Sequence, residues 1–148
     1  MIRRFDEPRK AGVRYVTRPG AYGILRLGDD LLITFQAEPR PEFQLPGGGI
    51  DPGETAVSAL HREVREETGW GIRIHRRLGA FQRYTWMPDY EIWARKVCHI
   101  YLCQPTRKLA EISEPHHSAH WVPIDDAARI LANGGDRHFV STLLRRGF

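Results

Sequence analysis

The sequence predicts an α/β sandwich with a central mixed β-sheet. Three observations predict it. Extended, apolar-rich runs lie in both halves of the chain. One helical segment, entered through a Gly- and Pro-rich loop, interrupts them after residue 54. Two short helical patterns close the chain after residue 125. At 148 residues the chain fits a single domain, 1–148, with an ordinary core.

In chain order, residues 1–12 carry Arg3, Arg4, Arg9 and Lys10 and read as a mobile arm or a poorly patterned start. Residues 13–17 read as a short strand, and Pro19-Gly20 as a break. Strands follow at 21–27 and 31–36, joined by a turn at Gly28-Asp29-Asp30. Residues 37–43 are loop. Gly47, Gly48, Gly49, Pro52 and Gly53 stop regular structure and allow close backbone approach to a ligand. Glu54-Thr55 then opens a helix that Gly69 ends, with Val57, Leu60 and Val64 in one inward stripe. Alternating residues 71–78 and the run 80–86 predict two strands, and Met87-Pro88-Asp89 a turn. Residues 91–103 are apolar on both parities, as a central strand would be. The stretch from Pro105 to Pro115 reads as loop and Trp121-Val122 as a last short strand. Asp125 is placed as N-cap of a helix that Asn133-Gly134-Gly135 ends. A final helix over 136–146 turns Phe139, Val140, Leu143 and Leu144 inward.

Composition bounds the function. With 41% hydrophobic and 27% charged residues, the chain reads as a soluble globular protein. No apolar run approaches the roughly 18 residues of a membrane helix, and the first residues lack a signal peptide's apolar core, so a cytoplasmic protein without membrane contact is expected. Cys98 and Cys103 would lie about 17 Å apart in a strand, beyond disulfide reach, and are expected as reduced thiols. A net charge of +4 suits anionic ligands, nucleotides before nucleic acid.

The chemistry concentrates at residues 44–70. Glu63, Glu66 and Glu67 share one arc of the helix at spacings of three and four. Carboxylates so placed repel one another. Hard cations such as Mg²⁺ take oxygen ligands and bind substrate phosphates as well. The arc therefore reads either as a metal-binding face, with a glycine-loop carbonyl beside it, or as a solvated acidic face.

The ordered pattern is more specific than the arc. It runs Gly48, five residues, Glu54, seven residues, Arg62-Glu63-Val64, one residue, Glu66-Glu67, one residue, Gly69. This resembles the Nudix box at every fixed polar or glycine position; Trp70 stands where the box ends in an aliphatic residue. The resemblance implies a Nudix α/β/α sandwich with the box as a loop-helix-loop catalytic motif. It implies a Mg²⁺- or Mn²⁺-dependent hydrolase that cleaves a pyrophosphate bond in a nucleoside diphosphate linked to another group. Carried over by position, Gly48, Glu63, Glu66 and Glu67 are implied metal ligands, with Glu63 either ligand or general base. Arg62 orients a carboxylate, and Glu54 braces the loop. For Arg62 and Glu54 a purely structural salt bridge is the equal alternative.

A late-loop carboxylate, Glu114 first and Glu111 second, is a further candidate for catalysis. His116, His117 and His120 suggest a metal site, but solvated loop residues or nucleotide contacts are the preferred reading. Arg83, Tyr84 and Trp86 are the candidate substrate contacts, with Phe81, Tyr90, Trp93, Arg95 and Lys96 behind them. His61 reads as packing or surface. Thr85 and Met87 stand where two substrate subgroups of the family carry Pro and Tyr, so neither marker fits. Small size favours a nucleoside triphosphate or dinucleoside polyphosphate. The alternatives are a nucleotide-sensing module, disfavoured because all three box carboxylates are present, and an RNA 5′-end pyrophosphohydrolase. A monomer and a homodimer are equally open.

Overall fold

The structure is a computed structural model and describes residues 2–148. In chain order its elements are β1 (Arg3–Arg4), β2 (Val16–Leu27), β3 (Asp30–Gln36), β4 (Glu42–Gln44), β5 (Gly47–Gly49), α1 (Ala56–Thr68), β6 (Trp70–Met87), β7 (Ile92–Lys108), β8 (His117–Pro123), α2 (Ile124–Ile130) and α3 (Gly134–Arg146).

Strand β2 is the spine. One edge pairs parallel with β7 from Val16 opposite Ala94 to Leu25 opposite Cys103. The other edge is shared: Gly20–Tyr22 pair with β5, and Leu25–Leu27 pair with β3. The sheet path runs β1-β6-β7-β2-β3-β4, with β8 added antiparallel to β3. Because β2 changes neighbour partway along, the sheet divides there, and the functional site lies at that division.

Alternation in the strands feeds two cores. Ile24, Ile33, Cys98 and Ile100 face α2 and α3, meeting Ala127, Leu131, Val140 and Leu143. Leu25, Leu32, Tyr101 and Cys103 face α1, meeting Leu60 and Val64. Helices thus cover both faces, which is the expected α/β/α sandwich. β7 lies between β6 and β2, as its apolar residues on both parities require. Cys98 and Cys103 are free, lie in opposite cores, and burial pushes their thiols up to about 11 and about 12. Among the described residues no helix is long and apolar enough to cross a membrane.

Several elements differ from the sequence expectation. Pro19-Gly20 is not a break; it lies inside β2. The Pro19 carbonyl accepts from the Ile50 N–H, so its missing N–H faces the end of β5 and costs no bond to β7. The separate strands at 71–78 and 80–86 are one strand, β6, because bulges at Trp70/Ile72, Ile74/Arg76 and Arg77/Gly79 absorb the irregularity at Gly79. β7 continues through Pro105 to Lys108, where Pro105 sits opposite one of these bulges. β8 spans seven residues rather than two, since β3 offers it a full edge. Val57 and Leu144 are 44% and 41% exposed, so the inward stripes are narrower than the periodicity suggests.

At the chain ends, α2 begins at Ile124 with Asp125 in its first turn and no side-chain cap. Asn133 caps α3 instead, accepting from Asp136 N–H, and Gly134-Gly135 belong to that helix. A Cβ on Gly135 would meet the Phe81 ring at 2.3 Å, so this turn needs glycine to reach the sheet. Nor are residues 2–12 a free arm. Arg3 and Arg4 pair with Phe81 and Gln82, Phe5 packs edge-on to Phe81, and the Asp6 carboxylate accepts from Gly134 N–H at 3.1 Å. The expected strand at 13–17 begins only at Val16.

Candidate active site

The loop before α1 contains one unexpected strand. Gly47–Gly49 pair with Gly20–Tyr22, so part of the glycine loop is sheet. Gly47 has φ +145°, and a Cβ there would lie 2.2 Å from the Ala21 carbonyl oxygen. Only glycine allows this approach. Thr55 then caps α1 by accepting from Ser58 N–H, and Gly69 closes it in the left-handed region at φ +78°.

Arg62 ties loop to helix. Its Nε donates to Glu54 Oε2 and its Nη2 to Glu54 Oε1, both at 2.8 Å. Nη2 also reaches the Gly49 carbonyl at 3.2 Å, and Nη1 reaches Glu63 at 3.1 Å and Glu66 at 3.3 Å. This fork holds the Glu54 carboxyl well below the usual range, at about 2. Arg62 and Glu54 therefore make the structural salt bridge, and the same guanidinium also gathers two of the box carboxylates.

The carboxylates differ in environment. Glu63 lies against Gly48: a Cβ there would fall 2.5 Å from its carboxyl carbon. Burial raises the Glu63 pKa, Arg62 lowers it and Glu66 raises it. Glu67 is 5% exposed and accepts from the Gly47 N–H at 2.9 Å. Burial pushes it well above the carboxylate range; the Gly47 N–H opposes this, and Glu63, Glu114 and Glu66 add to it. Glu114 arrives from the late loop because the Ser113 and Glu114 N–H groups both donate to the Glu66 carbonyl. Glu111 instead faces Lys108 and is nearly fully exposed.

His117 departs from the solvated reading. It is the first residue of β8, its side chain is 10% exposed, and its Nε2 is 3.3 Å from Glu67 Oε2. Its Nδ1 lies 2.9 Å from the Pro115 carbonyl, an acceptor, so that nitrogen carries a proton. His116, His120 and His61 are exposed. The three histidines look alike in sequence; the pairing of β8 with β3 singles out His117.

The carboxylate wall borders a cavity of about 300 Å³ lined by Gly47–Gly49, Glu63, Glu67, Glu114, Arg83 and Lys96 among others. Arg83, Lys96 and Tyr90 also border a second cavity of about 550 Å³, into which Tyr84 and Trp86 face. Arg83 stands directly opposite Lys96 on the β6–β7 ladder. The expected substrate contacts Arg83, Tyr84 and Trp86 are thus brought together. Phe81 is not among them: it is 1% exposed in the core. Arg95 bonds Gln82 instead and lines neither cavity. Asp136, which sequence reasoning did not single out, lines the smaller cavity from α3; it is 3% exposed and accepts from the Leu45 N–H. Burial raises its pKa to about 6 against Leu45, Arg83, Asn133 and Lys96.

Among the described residues, no three His, Cys, Asp or Glu side chains converge as a closed metal-ligand set. The reason is geometric. Arg62 holds Glu63 and Glu66, while Gly47 and His117 hold Glu67. The donor chemistry nonetheless fits a hard divalent cation: carboxylate oxygens, two of them with raised pKa, crowd one wall.

A glycine loop running into a helix with clustered carboxylates, beside the basic pair Arg83 and Lys96, is set in one α/β/α sandwich. Comparison with known proteins assigns that arrangement to a family. The family model for the NUDIX domain matches residues 16–143, and the chain belongs to that family, the Nudix hydrolases. A Bacillus subtilis protein, provisionally named an 8-oxo-dGTP diphosphatase, is 36% identical over 64 residues, covering 43% of each chain. The match therefore spans less than half of that relative. Nucleoside triphosphatase NudI of Escherichia fergusonii is 27% identical over 136 residues, covering 85% of this chain and 89% of its own. The MutT protein of Methanosarcina mazei Go1 superposes with a TM-score of 0.71 at 19% identity, covering 91% and 98% of the two chains, which shows the shared fold.

Proposed function

We propose that this Nudix protein is a Mg²⁺- or Mn²⁺-dependent pyrophosphohydrolase acting on a nucleoside triphosphate or dinucleoside polyphosphate. One observation carries the reading: a single cavity is lined both by Glu63, Glu67 and Glu114 and by Arg83 and Lys96. A polyphosphate bridging the two would meet its counterions on one side and a bound cation on the other. The NudI and diphosphatase relatives support a nucleotide substrate.

In this reading Glu66, Glu67 and the Gly48 carbonyl would hold the cation, with Glu63 as a further ligand or as the base. When bound, the cation neutralises phosphate oxygens and polarises the attacking water. The water oxygen bonds to phosphorus and the bridging P–O bond breaks. Glu63 or Glu114 accepts the water proton; burial raises Glu63 toward the range useful to a base. Arg62 keeps Glu63 and Glu66 oriented, Glu54 fixes Arg62, and Arg83, Tyr84 and Trp86 contact the substrate.

The test is product release across nucleoside triphosphates, oxidised deoxynucleoside triphosphates, dinucleoside polyphosphates, ADP-ribose, nucleotide sugars and 5′-triphosphate RNA. Each is run with Mg²⁺, with Mn²⁺ and with chelator. Turnover of one class that chelator abolishes is expected. Glu66→Gln and Glu67→Gln should each lower kcat by about 10²-fold or more. Unchanged turnover in both variants would overturn the metal assignment, and nucleotide binding without turnover of any class would favour a sensor.

A further inference from the structure

The larger cavity is walled in part by residues outside the matched domain. Glu7, Pro8, Lys10 and Tyr15 line it, whereas the family match begins at residue 16. This strap has no regular structure and meets the sheet through Lys10 and Tyr15. The Lys10 N–H donates to the Tyr15 hydroxyl at 3.0 Å, and Lys10 Nζ sits 4.4 Å above the Trp93 ring. Tyr15 packs edge-on to Tyr84 at 4.6 Å and to Trp93 at 6.2 Å. Trp86 and Tyr90 stay 44% and 58% exposed beside this packed set. A cavity of about 550 Å³ lies within the roughly 300–1,000 Å³ of small-molecule sites, and flat aromatic rings at its edge suit a planar base.

The floor carries two basic side chains, and burial together with Arg83 lowers the Lys96 pKa. Like charges directly opposite on a ladder repel, yet Arg83 and Lys96 face each other there. Among the described residues neither is in an ion pair, and Arg83 Nε is buried without a hydrogen-bond partner. Both line the junction between the aromatic cavity and the carboxylate cavity. A phosphate placed there would sit between a base and a scissile bond.

We infer that residues 7–15 are part of the substrate site: with Tyr84, Trp86 and Trp93 they enclose the nucleobase, while the Arg83–Lys96 pair grips the phosphate joined to the nucleoside. This rests on the hydrolase reading above. It assigns nucleotide selectivity to a segment outside the catalytic box. It also makes the nucleoside monophosphate end a ligand that needs no divalent cation.

The experiment is titration of AMP, GMP, CMP and UMP, and of inorganic tripolyphosphate, into the full chain in excess chelator. Binding is followed by calorimetry and tryptophan fluorescence. At least one monophosphate should bind. Tyr15→Ala should weaken it about tenfold and Lys10→Ala about threefold, with tripolyphosphate affinity unchanged in both. Arg83→Gln should weaken monophosphate and tripolyphosphate alike. Lys10 is exposed, so Lys10→Ala leaves the fold intact if Tyr15→Ala does not. The inference is overturned if no monophosphate binds wild type, if neither strap variant changes monophosphate affinity, or if both strap variants lose tripolyphosphate equally. Absent turnover with monophosphate binding intact would instead count against the hydrolase reading alone.

Discussion

Arg62 shows how much one side chain settles. A lysine offers a point charge rather than a planar fork, so it cannot hold both Glu54 oxygens and still reach Glu63 and Glu66. Arg62→Lys should lower kcat about tenfold or more while shifting stability by less than about 1 kcal/mol, since the group is partly exposed. Steady-state kinetics beside thermal melts check both. Asp136 gives the opposite kind of prediction. Burial raises its folded pKa to about 6, above the carboxyl's ordinary value, so the folded state binds more protons than the unfolded one between about pH 4 and 6. Its contribution to stability is full below that window and is lost as pH rises through it. Asp136→Asn keeps an acceptor for the Leu45 N–H and removes the buried charge. It should raise stability at pH 8, by up to about 3 kcal/mol, and change little at pH 4. A flat difference between the two melting curves from pH 4 to 8 would contradict it.

At the scale of elements, the glycine loop separates fold from function within two residues. Gly47→Ala would drive a Cβ into the Ala21 carbonyl at a φ of +145°, and should cost several kcal/mol, on the order of 2–4. Gly48→Ala meets the Glu63 carboxyl first, the far end of a side chain that can rotate away, so its loss should fall on kcat, about tenfold or more, with a small change in melting temperature. Denaturation and kinetics on the two variants separate these outcomes. The same contrast explains what was legible in the sequence. The α1 boundaries were readable because Thr55 and Gly69 are cap residues whose chemistry is local. The box carboxylates were readable because their spacing is helical. Pro19, Pro105 and Gly79 were misleading, because bulges and neighbouring strand ends accommodate them, and those depend on pairing across the sheet. His117, Asp136 and the strap at 7–15 were illegible for a related reason. Each meets the site through residues remote in sequence, from Glu67 to Leu45 to Trp93.

For the whole molecule, the decisive feature is charge separated across the divided sheet. The chain is basic by four charges, yet Glu63, Glu66, Glu67 and Glu114 are gathered together, where Glu66 and Glu114 raise both Glu63 and Glu67 and Glu63 raises Glu67 further. Without a cation that cluster is a source of instability, because buried carboxylates must either repel or take up protons. A ligand that binds only the folded state stabilises it by mass action, about 2.7 kcal/mol at a hundredfold excess over Kd. For a chain of this size that corresponds to a rise of roughly 5–10 °C in melting temperature. Mg²⁺ or Mn²⁺ should therefore raise the melting temperature at pH 8, and chelator should reverse it. The rise should shrink as pH falls, because the raised Glu63 and Glu67 carboxyls take up protons that a cation must displace. Glu66→Gln and Glu67→Gln should lose most of the rise, and Glu67→Gln should melt higher than wild type in chelator, since it removes a buried charge while still accepting from Gly47. Equal melting of wild type with and without cation at pH 8 would mean that the acidic wall does not bind a divalent ion.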